Sequence, residues 1–256
     1  MKRFLCVIGL AAAVMFLPAC RTISSLSGSG AKALMIGVSP NYPPLMFMQN
    51  GGIAGAEVDL ASELGKALNR PVRFLQVRWD DQIDTLLAGR IDIIMSGMTI
   101  TAARKVRIAF SDPYLQLGIM PLVRTRDAAK YSSAEKIING DARIGVERGS
   151  TADVFANRSC RSTSISYVQP IDAYFFLVNR RIDVFLHDGP GVIWLAAKHE
   201  ADLQAIRLPL TRDDIAWGLR KDDTELLAAV NRALAAWKKD GTLQKILDKW
   251  LPTERN

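Results

Sequence analysis

From residue 33 onward, short apolar runs of strand length alternate with stretches whose apolar positions recur at helical spacing. Ala33–Val38, Val72–Val77 and Ile91–Met95 are runs of the first kind and predict buried strands. Between them, Leu60, Ala61, Leu64 and Leu68 fall on one helical face, predicting a helix from Gly55 to about Leu68. A second helix is predicted over about Gln82–Ala88. The alternation then returns, with strands at Ala142–Val146 and Ser164–Val168 and helices at Ile171–Val178 and Gly189–Ala197. A strand at Ala216–Arg220 precedes a helix over Thr224–Asp240 that buries Leu227, Val230, Leu234 and Trp237 and is stopped by Gly241. A last helix over Thr242–Leu251 aligns Leu243, Ile246, Leu247 and Trp250. Strands alternating with helices in this way predict an α/β protein with parallel sheets. Trp217, Trp237 and Trp250 are core candidates.

One pattern occurs twice. Residues 90–97 read RIDIIMSG and residues 181–189 read RIDVFLHDG. Each copy follows a helical stretch, runs through an apolar strand and ends in small or polar residues. The echo, and a chain of 256 residues, suit two similar α/β lobes, each presenting a strand end to a shared cleft. No CxxC or HExxH spacing suggests a metal, and no phosphate loop or Ser/His/Asp set suggests an enzyme or a cofactor.

The first residues read as a processing signal. Met1-Lys2-Arg3 is basic, and Phe4–Leu17 is apolar but shorter than the roughly 20 residues that span a bilayer. Leu17-Pro18-Ala19-Cys20 resembles a lipobox, which makes residues 1–19 a lipoprotein signal and Cys20 the lipidated first residue. The Ser/Gly-rich residues 20–32 form a flexible tether. Loss of Lys2 and Arg3 lowers the net charge of +7 by two, and the excess is spread without a basic cluster, so nothing points to nucleic acid. With Cys6 in the signal and Cys20 at the anchor, Cys160 is left unpaired, so the mature domain depends on its core and not on a disulfide.

Candidate chemistry concentrates at SGMTITAARKVRIAFSDPY, Ser96–Tyr114. A strand ends at Ser96-Gly97, Thr99 and Thr101 offer hydroxyls, and Thr101 is placed to cap a short helix carrying Arg104. Open α/β sheets bind ligands past the carboxyl ends of their strands. A guanidinium fork with nearby amides suits a small carboxylate. In the second half, Gly149-Ser150-Thr151 opens a helix whose free amides favour an anion. Asp188 ends the second echoed strand, where it serves either as an acceptor for an ammonium or as a cap of the helix that follows.

SGMTIT-x-x-R followed by FSDPY resembles the polar amino-acid-binding family of bacterial extracytoplasmic solute-binding proteins, and the match runs from about Leu34 to Leu251. The resemblance implies a two-lobe periplasmic-binding-protein-like α/β fold of type II. Lobe one would hold residues 33–113 and 216–256, and lobe two residues 119–210. The crossings would lie at about 114–118 and 211–215. It implies an amino acid sandwiched by Tyr42 and Trp79. Ser96, Gly97, Met98, Thr99 and Arg104 would hold the carboxylate, with Ser150 and Thr151 adding a second grip and Asp188 taking the ammonium. Ser39, Glu147 and His187 are further candidates; Glu147 replaces the basic or polar residue usual in the family and faces either the ligand tail or solvent. Gly55-Ala56-Glu57-Val58-Asp59-Leu60 matches a family signature, with Ala56 where a larger residue is usual, and reads as structural. The partners implied are a small-molecule ligand, the permease of an ABC importer and the membrane through the lipid anchor, with the receptor acting as a monomer. A cyclohexadienyl dehydratase-like enzyme on the same fold is the rival. It needs an acid in the cleft, for which Glu147 is the remaining candidate.

Overall fold

The first five-stranded sheet of the computed structural model runs in the order Val72–Gln76, Leu34–Val38, Ile93–Ile94, Gly218–Leu219, Ala109–Phe110. The first three strands are parallel, and Gly218–Leu219 is antiparallel to both of its neighbours. The second sheet runs Ile165–Tyr167, Ile144–Val146, Val184–Asp188, Ile119–Arg124, Leu203–Ala205. It repeats the scheme, three parallel strands and then Ile119–Arg124 antiparallel to both neighbours. The molecule is thus the expected α/β protein of two lobes. Residues 31–251 are described; the predicted signal, Cys20, tether residues 20–30 and residues 252–256 lie outside them.

The echoed Arg-Ile-Asp has a physical basis in this repeated topology. Asp92 accepts from the Met35 amide at 3.1 Å, the residue beside which the central parallel strand begins, and from Arg70 at 3.1 Å. Asp183 accepts from the Arg143 amide at 3.1 Å and from the Arg143 and Arg124 guanidinium groups at 2.7–2.8 Å. In both lobes one aspartate pins the start of the neighbouring strand, where backbone amides would otherwise lack partners. The second copy is the more strongly paired, and Arg143, then Arg124, hold the Asp183 carboxyl well below the ordinary carboxylate range.

The lobes are joined by Leu115–Leu117 and Asp213–Ile215, which pair antiparallel. At the lobe-two end of this ribbon, Gly118 passes so close to Thr211 that a Cβ would stand 2.3 Å from its carbonyl oxygen, which requires glycine. Lobe one packs Leu34, Ile36, Leu60, Leu64 and Ile93 against Val230, Leu234 and Trp237 of the helix Thr224–Asp240. Trp217 is fully buried there, whereas Trp250 is half-buried and donates to Asp59. Lobe two has its own core around Ile144, Val184 and Leu186.

Several expected elements differ at their ends. The strand expected over Ile91–Met95 is paired as a ladder only at Ile93–Ile94, with Leu34–Val38 on one side and Gly218–Leu219 on the other. Tyr42 belongs to a small antiparallel sheet formed by Asn41–Tyr42, Met46–Gln49 and Gly52–Ala54. Ile171 lies in a 3-10 turn, Pro170–Asp172, before the helix Ala173–Val178, since Pro170 starts a turn well but cannot continue an earlier helix. No helix among the described residues is long and apolar enough to cross a membrane.

Candidate functional site

A narrow cavity of about 20 Å³ lies between the two strand-end loops. Ser39, Asn41, Tyr42, Trp79, Ser96, Gly97 and Thr99 form its lobe-one wall. Glu147, Ser150, Thr151, Ala152, His187 and Asp188 form the other.

Lobe one builds its wall on Ser96-Gly97, past the strand Ile93–Ile94. Ser96 Oγ accepts from the Ser39 amide at 3.1 Å and from Gln82 Nε2 at 2.8 Å, so this hydroxyl ties two loops together. Gly97 adopts φ +64°, and a Cβ there would stand 2.9 Å from the Tyr42 ring, so a bare backbone is needed for the approach. Thr101 caps the helix Ala102–Arg107 through the Arg104 amide at 3.2 Å, as the sequence predicts. The Arg104 side chain sits at the rim and not among the residues lining the cavity. It donates to Thr99 O at 2.9 Å and, across the cleft, to Gly149 O at 3.1 Å, with its guanidinium 5.1 Å from the Trp79 ring centroid. Burial lowers its pKa, with Asp188 and Asp213 opposing. The Met98 side chain is buried in the core with Leu86 and Ile91, away from the cavity.

Lobe two contributes a helix start and a strand end. Ser150 caps the helix Thr151–Ser159 through the Asp153 amide at 3.1 Å, leaving the first amides of the helix at the cavity. Asp188 occupies the cap position of Gly189–Lys198, yet its side chain makes no capping hydrogen bond, which corrects the expectation that it caps this helix. Its carboxylate lines the cavity, and burial pushes it up from the ordinary carboxylate range against the pull of His187, Tyr42 and Arg104. Glu147 does not face solvent, which corrects that alternative. It is 6% exposed, accepts from Asn41 Nδ2 at 3.2 Å, and has its other oxygen 3.8 Å from His187 Nε2. His187 meets the Tyr42 ring edge-on at 4.7 Å. Burial disfavours its charged form, but Glu147 and Asp188 outweigh this and hold its pKa above the ordinary 6.5. Among the described residues, the buried Tyr42 hydroxyl and His187 Nδ1 have no partner within strict hydrogen-bond geometry.

Sequence reasoning missed three residues here. Asn41 donates across the cleft to Glu147 and, at 2.9 Å, to Gln169. Its place just after the predicted strand Ala33–Val38 gave no signal for partners more than a hundred residues away. Gln82, read only as a helix start, is buried behind Ser96. Glu57, read as part of a structural helix, is buried under the site and accepts from the Gly97 amide at 2.8 Å, Tyr114 Oη at 2.6 Å and Trp217 Nε1 at 2.8 Å. A charged residue in the first turn of an otherwise apolar helical face was the available clue. Among the described residues no His, Cys, Asp and Glu group could hold a metal ion.

Two lobes of repeated topology, joined by a paired two-strand ribbon and lining one cavity with strand-end loops, define the class of two-lobed binding proteins. The chain belongs to the bacterial extracellular solute-binding proteins, family 3, matching that family over residues 34–253. It is 30% identical over 219 residues to the L-cystine-binding protein TcyJ of Escherichia coli K12, covering 85% of this chain and 82% of that one. It is 30% identical over 234 residues to the ABC transporter arginine-binding protein 1 of the same organism, covering 89% and 94%. Among solved structures it resembles the ancestral amino acid-binding protein AncCDT-1, described as a precursor of cyclohexadienyl dehydratase (TM-score 0.79, 34% identity, 87% and 95% covered). It also resembles a mutant of ArgBP from T. maritima (TM-score 0.81, 31% identity, 88% and 96% covered). These relatives are named as binding proteins, in line with the receptor reading over the dehydratase one.

Proposed function

We propose that the protein is an extracytoplasmic receptor that captures an L-amino acid between its lobes and delivers it to the permease of an ABC importer. The observation that carries this reading is the placement of Arg104 at the rim and Asp188 in the wall of one cavity, opposite charges from opposite lobes. Relatives named for cystine, arginine and histidine binding support it. On capture, the ligand carboxylate replaces the Gly149 carbonyl as partner of the Arg104 fork and takes the amides at the start of Thr151–Ser159. The ammonium meets Asp188, while Tyr42 and Trp79 flank the ligand. A contact from each lobe gives the closed form a higher affinity than the open one, and only such a difference drives closure. Lobe one then comprises residues 33–113 and 216–256, lobe two residues 119–210, with hinges at 114–118 and 211–215. We further propose that residues 1–19 are a lipoprotein signal and that lipidated Cys20 tethers the receptor as a monomer; an unmodified Cys20 in membrane-associated native protein would refute this.

Titration calorimetry against the proteinogenic amino acids and cystine tests the central claim. At least one should bind with roughly micromolar or tighter affinity, about −8 kcal/mol. Arg104→Ala and Asp188→Ala should each weaken it by roughly a hundredfold or more, since leaving one member of a desolvated charge pair costs about 3–5 kcal/mol. Binding unchanged in Asp188→Ala would overturn the bridge between the lobes, and turnover of prephenate or arogenate lost in Glu147→Gln would overturn the receptor reading.

A further inference from the structure

We propose that Glu147 makes this a receptor for basic L-amino acids, its carboxylate receiving the cationic end of the ligand side chain. The inference rests on the receptor reading above and takes it one group further. In that reading Arg104 and Asp188 are used by the zwitterion, whose two charges they balance. Glu147 remains as a second carboxylate on the lobe-two wall, 6% exposed. One of its oxygens accepts from Asn41 Nδ2. The other has no hydrogen bond among the described residues, and its nearest cationic candidate, His187 Nε2, is 3.8 Å away, beyond hydrogen-bond length.

A carboxylate so removed from water is costly unless a charge or several donors complete its shell. Asn41 is committed as a donor: its Oδ1 already accepts from Ser39 Oγ and its Nδ2 is shared with Gln169. It carries no charge, so the resident cationic partner of Glu147 is a protonated His187 ring, held at the long distance of 3.8 Å and open to replacement. A guanidinium or ammonium on the ligand can replace it, with more than one donor available for the open oxygen. Tyr42 and Trp79 line the same cavity, and their rings favour a cation over a neutral tail. A neutral side chain leaves the Glu147 oxygen as it is, and an acidic one is repelled.

Calorimetry with arginine, lysine, glutamine, cystine and glutamate on the full mature chain decides the matter. Arginine or lysine should bind at least tenfold tighter than glutamine or cystine, and glutamate least. Glu147→Gln should weaken the basic ligand about thirtyfold or more while changing glutamine less than threefold. Should Glu147→Gln fail to fold, Glu147→Asp keeps the charge and should retain the basic preference. A parent protein that prefers glutamine or cystine overturns the inference and leaves the receptor standing, as does a Glu147→Gln that weakens all ligands alike. Failure of every amino acid to bind overturns the receptor itself.

Discussion

Replacing Glu57 by Gln changes one atom of a residue that touches no ligand, yet the geometry predicts a loss in both stability and affinity. Glu57 is 1% exposed, and its two oxygens accept from three buried donors: the Gly97 amide, Tyr114 Oη and Trp217 Nε1. Burial raises its pKa above the ordinary value, and the bonds from Tyr114, Gly97 and Trp217 offset this only in part. With three donors aimed at it, the ionised form is the one the site is built for. Gln keeps Oε1 for Gly97 and Tyr114 but loses the charge that strengthens those bonds, about 1 kcal/mol apiece given that bonds to charged groups are worth about 1.5–3 and neutral ones about 1. Its Nε2–H₂ then points a donor at the Trp217 indole donor, stranding a buried group at about 1–2 kcal/mol. The sum is roughly 3–4 kcal/mol. At about 2–4 °C per kcal/mol for a domain of this size, Tm should fall by roughly 6–16 °C. Because Gly97 sits at the cavity, ligand affinity should fall as well. Urea denaturation at constant m-value measures the first effect and calorimetry the second. In a Trp217→Phe background the donor–donor conflict is gone, so the added cost of Gln should shrink by about 1–2 kcal/mol. A Glu57→Gln protein within about 0.5 kcal/mol of the parent, the range of an ordinary surface change, would refute the reasoning.

Gly97→Ala should lose about 1–3 kcal/mol of stability through its φ of +64° and the approach to Tyr42, and should also bind ligand more weakly; unfolding curves and calorimetry check both. The Asp183 carboxyl is held below its ordinary 3.8, so its contribution to stability is present above that value and lost as pH falls through the lower folded value. The stability gap between the parent and Asp183→Asn should therefore be constant near neutrality and close in strong acid, as seen in unfolding midpoints against pH. His187 faces Glu147, Asp188 and Tyr42, and its pKa lies above 6.5, so a proton on its ring competes with a cationic ligand tail. Affinity for arginine or lysine should weaken as pH falls through that value, by at most about tenfold per pH unit for one proton; a flat profile, or the same slope for glutamine, would contradict it.

The sequence by itself determined the elements and the class. Helical spacing in Thr224–Asp240 and the apolar strand runs are local signals, set by periodicity over a few turns, and they survive in the fold. The Arg-Ile-Asp echo was legible too, and it marked the repeated topology because one aspartate per lobe pins a neighbouring strand. Thr101 as a cap was readable because its partner, Arg104, is three residues away. What only the tertiary structure decided are the contacts between distant residues. Glu57 and Trp217 are separated by 160 positions, and Asn41 and Glu147 by 106. The place of Glu57 on an apolar helical face is the one local clue to its burial, and none names its partners; nothing local distinguishes Glu147 from a surface charge beside Arg148. Their roles follow from burial, which removes water as a partner and makes the identity of each remaining donor decisive.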